Sequence, residues 1–130
     1  MTSPPARFPT APIRGIAARY ARQSSGPGLY AAVTVDFEPR PGPLTGLDIE
    51  VADGLRLVGF GEHEGVPLAM LASFLEALSS GIQDELADRY PGPVAARVVL
   101  RHISIHQVDS SELAFRGAGR AAVRLALERA

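Results

Sequence analysis

The sequence predicts an α+β domain, a mostly antiparallel four-stranded sheet with two helices packed on one of its faces. Three observations point that way. Period-two alternation of apolar and polar residues recurs in the first half of the chain and again after residue 93. A long stripe at helical spacing separates these strand signals, and a second stripe closes the chain. Proline and glycine clusters punctuate most of the junctions. The resulting order is β-β-β-α-β-α. Strands grouped early and helices late suit helices gathered on one side of the sheet.

The elements follow in chain order. Residues 1–12 hold Pro4, Pro5, Pro9 and Pro12 and read as an extended, loose lead-in to a domain covering 13–130. From Ile13 to Gln23 the pattern is a modest strand with Ile16, Ala18 and Tyr20 on one side. Ser24-Ser25-Gly26-Pro27-Gly28 is a turn by composition. Ala31, Val33, Val35 and Phe37 then alternate with Tyr30, Ala32, Thr34 and Asp36, the clearest half-buried strand in the chain. Leu47, Ile49 and Val51 alternate with Asp48 and Glu50, and Asp53-Gly54 between apolar residues gives a short-hairpin signal. Gly59, Gly61 and Gly65 mark a loop.

A helix is expected from Pro67 to Asp88, with Leu71, Phe74, Leu75, Leu78, Ile82 and Leu86 as its apolar stripe. Gly81 inside it costs about 1 kcal/mol relative to alanine, which close packing on the sheet would offset. Pro91-Gly92-Pro93 ends the helix. Val94 to Ile105 reads as a central strand, with Ala96, Val98 and Leu100 on one face and Val99, Ile103 and Ile105 on the other. Asp109-Ser110-Ser111-Glu112 has the form of a capping box, with Asp109 as N-cap and Glu112 as its reciprocal partner. Ala114, Ala118, Ala121, Ala122 and Leu125 form the buried stripe of the last helix. Arg116, Arg120 and Arg124 repeat on its other face, with Glu112 and Glu128 four residues away as helix partners.

Composition bounds the function. The 130 residues are 46% hydrophobic and 21% charged, a globular balance. With no cysteine there is no disulfide, thiol nucleophile or cysteine zinc site. No apolar run reaches the roughly 20 residues of a membrane span, and no apolar segment follows the N-terminal arginine, so the cytoplasm is the expected compartment. All basic residues are arginine. The net charge of −1 conceals segments of +4 (1–35), −8 (36–90) and +3 (91–130). If the chain ends share a sheet, one side of the domain is basic enough to meet phosphate; solvated helix faces are the plainer reading.

Catalytic patterns are weak. The absence of lysine excludes a Walker-type phosphate loop. His63, His102 and His106 lack metal-ligand spacing on one element. Ser110, Ser111, His106 and Asp109 contain triad residue types, but no nucleophile-elbow turn surrounds the serines. No enzyme, cofactor, metal or nucleotide site is expected.

The segment Ser104-Ile105-His106-Gln107-Val108-Asp109-Ser110-Ser111-Glu112-Leu113-Ala114-Phe115 resembles the end of the fourth domain of translation elongation factor G. Arg22-Gln23-Ser24-Ser25-Gly26-Pro27-Gly28-Leu29-Tyr30, with Phe37-Glu38-Pro39 after it, resembles that family's other tip loop. Ala77-Leu78-Ser79-Ser80-Gly81-Ile82-Gln83-Asp84-Glu85-Leu86 resembles its first helix, internal glycine included. The three patches occur in family order. The resemblance implies a left-handed β-α-β crossover, which general rules would not suggest. It also implies a module without catalysis that reaches the decoding region of the ribosome and touches messenger and transfer RNA through two tip loops. Here those loops are Ser24, Ser25, Gly26, Pro27 and Gly28, and Ser104, Ile105, His106 and Gln107. Arg22, Arg116, Arg120 and Arg124 are the candidate phosphate contacts. The first loop departs from the family, with Ser25, Pro27 and Leu29 where an arginine and a glutamine are expected. The alternative is a protein-interaction domain that keeps the fold without RNA contact.

Overall fold

A computed structural model describes residues 7–22, 29–41, 45–58, 68–105 and 110–129. Four strands and two helices follow in the predicted order: β1 (Ile13–Arg22), β2 (Leu29–Pro39), β3 (Gly46–Val58), α1 (Leu68–Arg89), β4 (Ala95–Ser104) and α2 (Glu112–Arg129). They build one mixed sheet in the spatial order β1-β2-β4-β3. The β1–β2 and β2–β4 pairs are antiparallel, whereas β3 and β4 are parallel and joined through α1.

The two helices pack on each other over one sheet face, α2 against β1 and β2 and α1 toward β3. Of the predicted stripe of α1, Phe74, Leu78, Ile82 and Leu86 are buried, and Leu71 and Leu75 are partly buried against the core. On α2 the buried line is Ala114, Phe115, Ala118, Gly119, Ala122, Val123 and Ala126. Leu125, predicted inside, is 38% exposed. Five alanines and glycines in that line leave Phe115 as its only large ring, stacked on Phe74 of α1 with centroids 4.5 Å apart. Gly81 serves this helix pair and not the sheet. A Cβ there would lie 2.1 Å from the Arg116 carbonyl oxygen, and one at Gly119 would lie 2.4 Å from the Leu78 carbonyl oxygen. The two backbones approach as closely as they do because neither position carries a side chain.

Two irregularities of the sheet decide which residues face the core. The register between β2 and β4 shifts at Thr34/Val35, so that Val35 pairs with Leu100 and Thr34 with His102, leaving Arg101 as the extra residue. This shift returns Ile103 and Ile105 to the face of Val98 and Leu100, and all four join the core. They were expected on opposite faces because strict alternation does not register an extra residue. The second irregularity lies between Ile13 and Ile16 of β1, where Gly15 adopts φ 69°.

Asp36 of β2 lies between the two. Read as a water-facing residue, it is 3% exposed. Its carboxylate accepts the Gly15 N–H at 2.9 Å and the Arg101 Nε–H at 2.6 Å, one from each irregular neighbour. Burial pushes its pKa up, but the Gly15 bond, the Arg101 bond and the charges of Arg101 and Arg14 together hold it below the ordinary value.

Asp53-Gly54 forms no hairpin. β3 runs through it as one strand, and its register against β4 jumps between Val51 and Arg56. The lead-in, expected to be loose, is tied down at Phe8. Phe8 is 2% exposed, lies 5.7 Å edge-on from Phe37, and exchanges backbone hydrogen bonds with Pro93 and Ala95. The loop containing His63 lies outside the described residues.

Candidate functional site at the joined tip

Four chain segments meet at one end of the sheet. The last pair of β1 and β2 is Arg22 with Leu29, and β4 leaves the sheet at Ser104, opposite Ala32. The Tyr30 hydroxyl is 3.5 Å from Ser104 Oγ. Ahead of α2, the Ser110 hydroxyl donates to the Tyr30 carbonyl at 2.8 Å. The Ile105 N–H donates to the Val58 carbonyl at 2.9 Å, which holds the end of β3 there too. The β1–β2 connection and the β4–α2 connection therefore spring from adjacent roots.

Ser24, Ser25, Gly26, Pro27 and Gly28 lie outside the described residues, as do His106, Gln107 and Asp109. Of the predicted tip residues, Ser104 and Ile105 are described. Ile105 is 1% exposed and part of the core, so it anchors its loop and presents no surface. Ser104 is buried and bridges to Tyr30.

The start of α2 is held by Ser111. Its Oγ accepts the Ala114 N–H at 3.2 Å and its carbonyl accepts the Phe115 N–H at 3.1 Å, the pair of bonds an N-cap makes. Glu112, expected as the partner of Asp109 in a capping box, is the first helical residue and accepts the Ser73 hydroxyl of α1.

The candidate phosphate arginines divide into two groups. Arg22 is exposed at the end of β1, next to the first predicted tip segment, and has no ion pair among the described residues. Arg116 is exposed and reaches Ser80 Oγ at 3.4 Å. Arg120 instead donates to Glu85 at 2.7 Å and Asp88 at 3.2 Å, with Asp84 at 3.7 Å. Arg124 lies 3.9 Å from Glu85. These partners are on α1 and not on α2, because the tight helix crossing brings the acidic end of α1 under the basic face of α2. Burial raises the Glu85 pKa, but bonds to Arg89 and Arg120 and the charges of Arg89 and Arg124 outweigh it and hold the carboxyl below its ordinary value.

Comparison with known proteins closes the question of kinship. The family profile described as elongation factor G, domain IV, matches residues 9–130. The chain belongs to the elongation factor G domain IV family. Curated elongation factor G proteins of Dehalococcoides mccartyi strains BAV1 and CBDB1 are each 34% identical over 116 residues, covering 86% of this chain. A crystal structure of a Thermus thermophilus protein superposes with a TM-score of 0.63 at 25% identity over 88% of this chain. The chain spans about 15% of the length of each of these relatives. As a domain IV module it is related to translation factors, and its β-β-β-α-β-α order is the one the hydrophobic pattern predicted.

Sequence reasoning about this domain IV passed over two residues near the tip. The Arg19 guanidinium lies 5.7 Å from the centroid of the Tyr30 ring, on the sheet face opposite the helices. The signal was available, since Arg19 alternates out of phase with Ala18 and Tyr20 on β1.

Proposed function

We propose that this chain is a non-catalytic translation-factor module that engages ribosomal or ribosome-bound RNA through its joined tip. The observation that carries this is the common root of the two connections, tied by Ser110 to Tyr30 and by Tyr30 to Ser104. A single RNA target can meet both loops only if they start side by side. On this reading Ser24 to Gly28, His106 and Gln107 supply the contacts, Arg22 and Arg116 supply phosphate charge, and Arg120 and Arg124 are largely committed to α1. Neither a cofactor nor a nucleotide takes part, and the place of action is the cytoplasm. No described helix is long and apolar enough to cross a membrane.

A second reading has one observation in its favour. Neutralisation of Arg120 by Glu85 and Asp88 removes charge from the basic face of α2, which suits a protein partner better than phosphate. Ribosome co-sedimentation at low and physiological salt separates the two. The RNA reading expects co-sedimentation that weakens with salt and is reduced by His106→Ala. Absence of binding even at low salt hands the lead to the protein-interaction reading.

A further inference from the structure

The sheet face turned away from the helices is electrically divided. In the rows nearest Pro39 every acid has an arginine: Arg14 with Glu38 at 3.0 Å, Arg97 with Glu50 at 3.3 Å, Arg40 with Asp48 at 3.1 Å and Arg101 with Asp36. The rows nearer the tip differ. One runs Ala17, Thr34, His102, Arg56 across the four strands, and the next runs Arg19, Ala32, Ser104, Val58, with Ala21 and Tyr30 beyond. None of these residues is acidic. Asp53, in the register break of β3, is the nearest acid along that strand.

Arg19 on β1 and Arg56 on β3 are exposed, and neither has an ion pair among the described residues. They stand on the two edge strands, three strand spacings or about 14 Å apart across the sheet, and one row apart along it. The floor between them is built of Ala17, Ala32, Thr34 and Ser104, with the larger His102 among them on β4. The result is a strip of open sheet face, the trough, with a cation at each edge and the Tyr30 ring, beside the Arg19 guanidinium, at its tip end.

We propose that this trough is a binding surface for single-stranded RNA, with Arg19 and Arg56 on backbone phosphates and Tyr30 offering its ring to a base. Charge complementarity selects a polyanion, because two unpaired guanidinium groups face no acid in their rows. The open four-stranded face selects a single strand, since an aromatic residue with flanking cations on such a face suits splayed bases and their phosphates. The inference shares with the tip reading the class of ligand and, where the two surfaces adjoin, Tyr30 and Ser104; Arg19 and Arg56 belong to it alone.

The probe is a fluorescein-labelled twelve-nucleotide oligouridine, followed by anisotropy across a salt series. The Arg19→Ser/Arg56→Ser double variant is compared with Arg14→Ser/Arg97→Ser, which removes the same charge from the paired rows. The trough variant should lose affinity about tenfold at low salt, and its log–log salt slope should fall by about 1.4, the value for two phosphate contacts on a single strand. The paired-row variant should keep the wild-type slope. Photocrosslinking of a thiouridine probe to the wild-type chain should label peptides holding Tyr30 or His102, a readout independent of variant folding. Equal slopes for the two double variants, or no oligouridine binding by wild type at low salt, would overturn the proposal. So would loss of binding in His106→Ala with the trough variant intact, an outcome that leaves the tip reading standing.

Discussion

Arg120 of α2 donates to Glu85 of α1 at 2.7 Å, and Glu85 is 3% exposed. This pair joins the two helices at the end where α1 carries Asp84, Glu85 and Asp88 and α2 carries Arg120 and Arg124. It also explains how a near-neutral domain can hold an arginine-rich helix, since two of its four arginines, Arg120 and Arg124, face acids of α1. Arg120 is about a third exposed, so solvent discounts the pair. We expect Glu85→Gln to lower stability by about 1–2 kcal/mol, through loss of charge-assisted bonds from Arg89 and Arg120. Urea melts of the two proteins at neutral pH measure it, and equal midpoints would mean that the pair contributes nothing.

The same carboxylate sets a pH dependence, and Asp36 adds to it. Both have folded pKa values below their ordinary ones. Their contribution is therefore fully present above the ordinary carboxylate range and is lost as pH falls through the depressed folded values. Wild-type stability should decline below about pH 4. An Asp36→Asn/Glu85→Gln variant should be less stable at pH 7 but lose less on acidification. Thermal melts between neutral and acid pH check this, and parallel curves would contradict it.

Gly81→Ala tests the helix crossing. Helix propensity alone would favour the alanine by about 1 kcal/mol. The added Cβ, however, would meet the backbone of Arg116, which cannot move aside as a side-chain tip can. The expected outcome is net destabilisation of about 2 kcal/mol or more, since the overpacking strain must exceed the propensity gain. A more stable variant in denaturant unfolding would show that the helices separate at little cost.

Ser111→Ala should lower stability by about 1 kcal/mol through loss of the bond from the Ala114 N–H. Thermal melts of Ser111→Ala beside Asp109→Ala show which residue caps α2. A larger loss for Asp109→Ala would restore the capping box that the sequence suggested.

Salt dependence distinguishes the arginines. Arg22→Gln should reduce the salt slope of RNA association, by about 0.7 if the target is single-stranded. Arg120→Gln should instead lower stability and leave that slope nearly unchanged, because its charge is already met by Glu85 and Asp88. Sedimentation across a salt series for the two variants decides, and a larger slope change for Arg120→Gln would return Arg120 to the RNA contact.

Local pattern was enough to place the six elements in order. Alternation marked Ala31, Val33, Val35 and Phe37 as inward because a strand between a core and water has no other stable arrangement. Helical spacing did the same for Phe74, Leu78, Ile82 and Leu86, and the tip segments carried the family resemblance. The rest depended on contacts between residues far apart in the chain. One extra residue at Arg101 turned Ile103 and Ile105 inward, and it buried Asp36 between two irregular neighbours. Periodicity along a single strand contains no term for its partner's register. The same holds for Gly81, whose missing side chain matters only because Arg116 passes over it, and for Arg120, whose partner is 35 residues away. Sequence thus determined which segments become strands and helices, since that follows from local hydrophobic spacing. Tertiary structure decided which charges are answered, which glycines are needed and which sheet face is left open, because each is a property of two elements meeting.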